Sequence, residues 1–231
     1  MSGWTGAVQR IDDLPKTIPV FPLTGVLLLP HGRLPLNIFE PRYLALVDDA
    51  LAARDRMIGM IQPRTPGSEG MTRAGVAPPP AALYATGCVG RISNFSETGD
   101  GRYLITLYGV CRFDTAEELP TTRGYRKIVA DYARWQADLA PPSPARGVID
   151  RERLLGPLRA YFAAQNVTTD WEVIAETPDD RLISTLAMNC PFAPQEKQAL
   201  LECPTLPALA EAVTALIEMA AAGRSGETAK H

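Results

Sequence analysis

Histidine is nearly missing from this chain: its 231 residues include only His31 and the terminal His231. That scarcity excludes a His-rich metal centre and leaves His31 as the one internal base for any Ser-His-Asp arrangement. His31 lies in the proline-flanked turn LPHGR and reads as a turn histidine facing solvent. Cysteine is sparse as well. Cys88, Cys111, Cys190 and Cys203 form no CxxC pair, so the ligand spacing of a structural zinc site is lacking. No metal or cofactor is expected, and in a cytosolic chain the four read as buried thiols. There is no GxxxxGK[ST] phosphate loop, no GxSxG elbow and no HExxH helix, hence no set of catalytic residues that a motif would mark. Carboxylates adjoin at Asp48-Asp49, Glu117-Glu118 and Asp179-Asp180, but neighbours on a helix point about 100° apart and do not converge on one substrate. Asp179-Asp180 suits the start of a helix, where negative charge complements the dipole.

Two further absences narrow the setting. No apolar run approaches the roughly 20 residues of a spanning helix, and MSGWTGAVQRIDDLP has no basic stretch followed by an apolar one, so no signal peptide is expected. The expected setting is cytoplasmic, with no membrane partner. A basic excess is also lacking: 23 Lys and Arg stand against 26 Asp and Glu, a formal net charge of −3. A dedicated nucleic-acid binder would carry the opposite balance.

What is present is an ordinary core content, 46% hydrophobic residues, arranged in two different rhythms. Residues 1–17 are polar and irregular and read as a flexible tail. From Ile18 to Leu29, short extended pieces are broken by Pro19 and Pro22, which suits strand starts and sheet edges. Pro41 opens a helical pattern to about Arg54, with Tyr43, Leu44, Val47, Ala50 and Leu51 on its apolar face. MIGMIQP, from Met57, reads as a strand, and Arg64–Pro80, dense in Gly and Pro, as a surface loop. YATGCVGRISNF and RYLITLYGVCRF flank a turn around Gly99-Asp100. Folded symmetrically, this hairpin pairs Ile92 with Leu107, Gly90 with Gly109 and Cys88 with Cys111. Two small apolar side chains under a barrel wall, or a redox pair, are the alternatives for those cysteines. Tyr125–Trp135 reads as another strand.

After a Pro-rich linker at 139–147, helices take over. Asp150 is placed to cap DRERLLGPLRAYFAAQ, with Pro157 bending or breaking it. TPDDRLISTLAMN, APQEKQALLE and TLPALAEAVTALIEMAAA follow, the last capped by Thr205. The expected organisation is therefore a tail at 1–17, a β-rich lobe at 18–138, a linker at 139–147, a helical lobe at 148–222 and a disordered tail at 223–231.

Four landmarks occur in order: IPVFPLTGVLLLP, LPLNIFEPRYLALVDDAL, GCVGRI with DGRYLITLYGVCRF, and PQEKQALLECPTLPALAEAVTALI. Together they resemble the N-terminal substrate-binding domain of Lon-type ATP-dependent proteases over about residues 18–222. The residues that carry the resemblance are Phe21, Pro22, Leu23, Pro35, Leu36, Phe39, Glu40, Pro41, Arg42 and Tyr43, with Gly109, Arg112 and Phe113. The resemblance implies an α+β fold, a PUA-like mixed β pseudobarrel with one helix followed by a helical bundle. It also implies a stand-alone domain, because the ATPase and Ser-Lys peptidase modules of full-length Lon would lie further along. The implied function is non-catalytic: binding of unfolded or degron-bearing polypeptide, or an adaptor role towards a protein partner, as a related domain serves in cereblon.

An apolar groove between the lobes is expected to hold the client, with Phe39, Tyr43, Met57, Met60 and Tyr108 as candidate lining residues. Glu-Pro-Arg-Tyr, residues 40–43, reads as a strand-to-helix junction in which Arg42 pairs with Glu40 or with a loop carbonyl. An RNA-binding PUA-like module, carried by Arg91, Arg102, Arg112, Arg123, Arg126 and Lys127, is the alternative, and an assembly or scaffold protein a further one.

Overall fold

Phe113 organises the first part of the chain. Its side chain is fully buried, and two glycines lie against its ring. A Cβ at Gly59 would stand 3.1 Å from Phe113 Cε1, and one at Gly87 would press on the same ring and on the Met60 carbonyl oxygen, 2.6 Å away. In the computed structural model, which describes residues 8–64, 81–142 and 147–225, six strands wrap this centre: β1 (Thr17–Pro22), β2 (Arg33–Ile38), β3 (Met57–Ile61), β4 (Thr86–Glu97), β5 (Tyr103–Leu119) and β6 (Arg126–Asp131), with α1 (Pro41–Ala52) between β2 and β3. Their order is β2-β5-β4-β3-β1-β6, and β5 pairs again with β6. The 17-residue β5 is long enough to do both, so the sheet curls into a partly closed ring with β2 left at an edge. β1 and β3 run parallel and the other pairs antiparallel.

The α+β order expected from the sequence is the one adopted. The chain divides into two compact units, residues 1–141 and 142–231. Several local expectations change. The tail was expected to run to residue 17, but Ile11–Asp13 form a 3₁₀ turn, Leu14 is buried, and the Pro15 carbonyl accepts from the Tyr132 hydroxyl at 2.9 Å. Residues 1–7, 65–80, 143–146 and 226–231 lie outside the described residues, and with them nearly all of the expected loop, four residues of the expected linker and most of the tail expected at 223–231, whose start is instead helical as far as Ser225. The hairpin register is right at its centre, Ile92 opposite Leu107 and Gly90 opposite Gly109, and then slips: Val89 faces Cys111, and Cys88 faces Arg112. Val110 is the extra residue, a β-bulge that advances the rest of β5 by one position. The expected Cys88–Cys111 pairing is thereby overturned. The strand expected to reach Trp135 ends at Asp131, whose carboxylate accepts the Ala133 N–H at 2.9 Å, and a 3₁₀ segment, Ala133–Leu139, carries Trp135 into the core.

On α1 the buried residues are Tyr43, Leu46, Val47 and Ala50, so Leu46 takes the central place expected for Leu44 and Leu51. Tyr43 packs on Phe21 with ring centroids 4.1 Å apart. Arg42 pairs with Glu40 (2.8 Å) and lies over the Tyr43 ring, the first of the two arrangements expected. Glu40 is the N-cap through its backbone alone, its carbonyl accepting from Tyr43 and Leu44 N–H, both 2.9 Å. Asp48 and Asp49 accept from Tyr103 and Tyr125, and Arg123 also bonds Asp49. The acidic pair thus ties α1 to the strands.

The second unit contains α2 (Arg151–Ala164), α3 (Trp171–Glu176), α4 (Asp179–Asn189), α5 (Pro194–Leu201) and α6 (Leu206–Ser225). The N–H of Arg153 bonds the Asp150 carboxylate at 3.0 Å, and that of Ala208 bonds the Thr205 hydroxyl at 3.3 Å, the two expected caps. α2 runs through Pro157 without a break; with tertiary packing holding Leu154, Leu158 and Tyr161 buried, the missing N–H is tolerated. α3 was not expected. It is short and is started by Asp170, whose carboxylate accepts from Glu172 and Val173 N–H. Asp179, read from sequence as a charge at a helix start, is fully buried: it accepts from Val148 N–H (2.8 Å), Ile149 N–H (3.3 Å) and the Arg151 guanidinium (2.6 Å). Arg151 in turn donates to carbonyls of Ile174, Ala175 and Thr177, so one ion pair joins the starts of α2 and α4 to the end of α3.

Candidate functional site

The five residues expected to line a groove do not come together. Tyr43, Met57 and Met60 are buried at 5%, 3% and 3% exposure and serve as core of the β unit. Apolar periodicity marks a buried face, and a client surface made of the same residue types carries the same signal. Phe39 and Tyr108 stand apart from them. Phe39 follows β2 and is 62% exposed. Tyr108 is half-buried on β5, opposite Arg33. They mark opposite ends of the β2–β5 ladder, which runs from Arg33↔Tyr108 to Ile38↔Tyr103, about 17 Å at the rise of a strand.

Among the described residues of the β unit, the large apolar side chains that stand exposed, Phe39, Phe95 and Leu104, lie on or beside this ladder. Leu104, opposite Asn37, is 45% exposed, and Phe95 packs edge-on against Tyr103 with ring centroids 5.0 Å apart. At the Tyr108 end, His31 takes a left-handed backbone conformation (φ 63°), a strained one for a residue with a Cβ. Its Nε2–H donates to the Ala140 carbonyl (3.1 Å), which leaves Nδ1 to accept from the Tyr108 hydroxyl (3.1 Å). The expected solvent-facing histidine is instead a pin between the β2 turn and the end of the 3₁₀ segment. At the same turn Gly109 permits close approach: a Cβ there would overlap the Leu29 carbonyl.

The remaining signature residues are structural in their contacts. Pro22 ends β1 and Leu23 N–H bonds the Ile61 carbonyl (3.0 Å). Pro41 occupies the first turn of α1. Arg112 makes a two-pronged bond to Asp138, Nε to Oδ2 at 2.9 Å and an Nη to Oδ1 at 2.7 Å, its own N–H adds a third, and its guanidinium stacks 3.9 Å above Trp135. Sequence reasoning missed Asp138 and Trp135; the only signal was an acidic and an aromatic residue in a segment read as strand and linker.

The basic set behind the RNA alternative is largely neutralised within the fold. Arg102 pairs with Asp100, Arg112 with Asp138, Arg123 with Asp49 and Arg126 with Glu118. A cation committed to a carboxylate contributes little to phosphate binding. The thiols are equally committed to the interior. Burial pushes Cys88 well up, pushes Cys111 to about 12 and Cys190 to about 11, so they stay protonated and poorly nucleophilic. Among the described residues no three His, Cys, Asp or Glu side chains converge to hold a metal ion, and no helix is long and apolar enough to cross a membrane.

Residues 17–219 match the ATP-dependent protease La (LON) substrate-binding domain. The chain belongs to that family. Lon protease 2 of Myxococcus xanthus is 26% identical over 206 residues, 89% of this chain and 24% of that protein. The Lon protease of Dictyoglomus thermophilum is 23% identical over 196 residues, 84% of this chain and 23% of that protein. The chain thus spans about a quarter of the length of these Lon relatives. Among solved structures, a Lon N-terminal domain protein from Xanthomonas campestris aligns over 86% of this chain and 97% of its own, with TM-score 0.55 and 21% identity. The N-terminal domain of the Mycobacterium avium complex Lon protease aligns over 89% and 98%, with TM-score 0.53 and 15% identity. These likenesses give the fold; the Lon substrate-binding domain supplies the family.

Proposed function

We propose that this protein is a non-catalytic, Lon-like substrate-binding module that holds unfolded or degron-bearing polypeptide, or acts as an adaptor between such a client and a protein partner, in the cytoplasm. The observation that carries the reading is the match to a substrate-binding family over residues 17–219. The exposed side chains of Leu104, on the β2–β5 ladder, and Phe39, just beyond it, support it, because apolar side chains held in solvent beside a sheet are suited to transient contact with an unfolded chain. The RNA alternative loses its main support in the paired arginines.

The test is fluorescence anisotropy of a labelled, permanently unfolded polypeptide, reduced and carboxymethylated α-lactalbumin, titrated with the protein. Saturable binding is expected, weakened about threefold or more by Phe39→Ser with Leu104→Ser at unchanged melting temperature. No binding above that of a control globular protein would overturn the reading, and salt-dependent binding of a structured RNA in its place would revive the alternative.

A further inference from the structure

The hydrogen-bond phase of β2 can be followed residue by residue. Gly109 N–H donates to the Gly32 carbonyl (2.9 Å), and the Gly109 carbonyl accepts from His31 N–H (2.8 Å), so the Gly109 backbone points toward β2. In an unbroken antiparallel strand, alternate residues point the same way. Leu107, Ile105 and Tyr103 therefore bond Leu34, Leu36 and Ile38, which stand opposite them. Arg33, Pro35 and Asn37 turn their main-chain groups the other way, to the open edge of the sheet. All three are exposed, and among the described residues nothing bonds them there. Pro35 sits where its missing N–H costs β5 nothing. The edge presents two N–H donors, of Arg33 and Asn37, and the carbonyls of all three residues.

The side chains of β2 tell the same story on the inner face. Leu34 and Leu36 are half-buried, whereas their cross-strand partners Leu107 and Ile105 are at 0% and 2% exposure. The apolar face of the sheet runs one strand beyond its cover. Beyond the end of β2 stands Phe39, and at its start Arg33, a cation with no ion pair among the described residues.

We propose that the open edge of β2 takes up an extended client segment as an added strand, one whose apolar residues fall at every second position and whose acidic residue meets Arg33. This rests on the polypeptide-binding reading and specifies its mode. Main-chain bonds to Arg33, Pro35 and Asn37 hold the segment regardless of sequence, and its inward side chains complete the cover of Leu34 and Leu36. A second copy of β2 is the poorer occupant: in the symmetric register centred on Pro35 both central donors are missing, and each Arg33 faces an Asn37 instead of a carboxylate.

Four fluorescein-labelled octapeptides built from four Val, two Thr, one Glu and one Lys test this by anisotropy. One alternates Val with polar residues, one groups Val in pairs, and two alternate but carry N-methyl groups on every second backbone nitrogen, one in each phase. The alternating peptide is expected to bind about tenfold tighter than the paired one, and one of the two N-methyl phases to lose about tenfold. Asn37→Pro, which removes an edge donor without touching β5, is expected to weaken the alternating peptide about tenfold at unchanged melting temperature. If that variant does not fold, the N-methyl comparison decides on the unaltered protein. Equal binding of all the peptides, or of both N-methyl phases and the parent, would overturn edge addition. Should the unfolded lactalbumin bind while none of the peptides does, edge addition falls and polypeptide binding stands. Failure of lactalbumin and peptides alike would remove both.

Discussion

A methyl group added at Gly109, in β5, would overlap the carbonyl of Leu29; one added at Gly156, in α2, meets nothing within 4 Å apart from its chain neighbours. The same contrast runs through both units. In the β unit Gly59, Gly87 and Gly109 have no room for a Cβ: the side chains of Ile18, Val20 and Phe113 crowd the first, the Phe113 ring and the Met60 carbonyl the second, and the Leu29 carbonyl the third. In the helical unit the junction of three helices rests on one buried carboxylate, Asp179. Sheets stacked into a ring leave few ways to absorb an extra atom, whereas helices can shift against one another to accommodate one.

Four measurements would break or sharpen this contrast. Gly109→Ala should be the most damaging, destabilising the β unit by about 4 kcal/mol or more, because the obstructing atoms belong to backbone. Hydrogen exchange read peptide by peptide should show β2, β4 and β5 losing protection. A stable Gly109→Ala protein with native exchange would show that the Leu29 turn can retreat. Asp179→Ala should cost the helical unit about 3 kcal/mol, the lower part of the range for breaking a buried pair, because Arg151 retains the carbonyls of Ile174, Ala175 and Thr177 as acceptors. Its loss of protection should be greatest in peptides covering 148–186.

The third measurement is a pH series. Burial alone would raise the Asp179 carboxyl, but the Arg151 guanidinium and the N–H groups of Val148 and Ile149 outweigh it and hold it below the ordinary carboxylate value. A group lowered by folding stabilises the native state above its unfolded pKa of about 3.9, and that contribution drains away as pH falls through the folded value. The helical unit should therefore lose stability below about pH 4, and Asp179→Asn should flatten that part of the profile. An identical slope in the variant would move the acid sensitivity elsewhere. Smallest is Gly156→Ala, expected to change the melting stability of α2 by less than about 1 kcal/mol, because the gain in helix propensity is opposed by crowding of the new Cβ against the ring of Pro157, the next residue. It is the same substitution as the first, with a far smaller effect.

How far the sequence could be read follows the same division. Short-range chemistry was legible: Asp150 and Thr205 as caps, Pro41 as a helix start, and the hairpin register from Ile92 opposite Leu107 to Gly90 opposite Gly109. Long-range partnership was not. Arg112 and Asp138 lie 26 residues apart, Arg151 and Asp179 28, and nothing in spacing joins them. Tyr43, Met57 and Met60, all buried in the β unit, were named as lining because a buried strand and a receptive surface spell alike. Pro35 was legible only as a signature residue; its place on the open edge and the half-cover of Leu34 and Leu36 needed the neighbouring strand.

The bulge at Val110 bears on which changes of length this hairpin can accept. Beyond it each position of β5 has a fixed partner: Cys111 faces Val89, Arg112 faces Cys88 and reaches Asp138, and Phe113 faces Gly87 and enters the core. Deleting Val110 would remove the bulge and leave those pairs in place, whereas adding a residue between Cys111 and Phe113 would act as a frameshift in space, moving Phe113 off Gly87 and out of its place in the core, although composition would hardly alter. Length variation among relatives should therefore gather at the hairpin tip around Gly99, where an added Cβ meets nothing within 4 Å, while the stretch from Cys111 to Phe113 keeps a constant count.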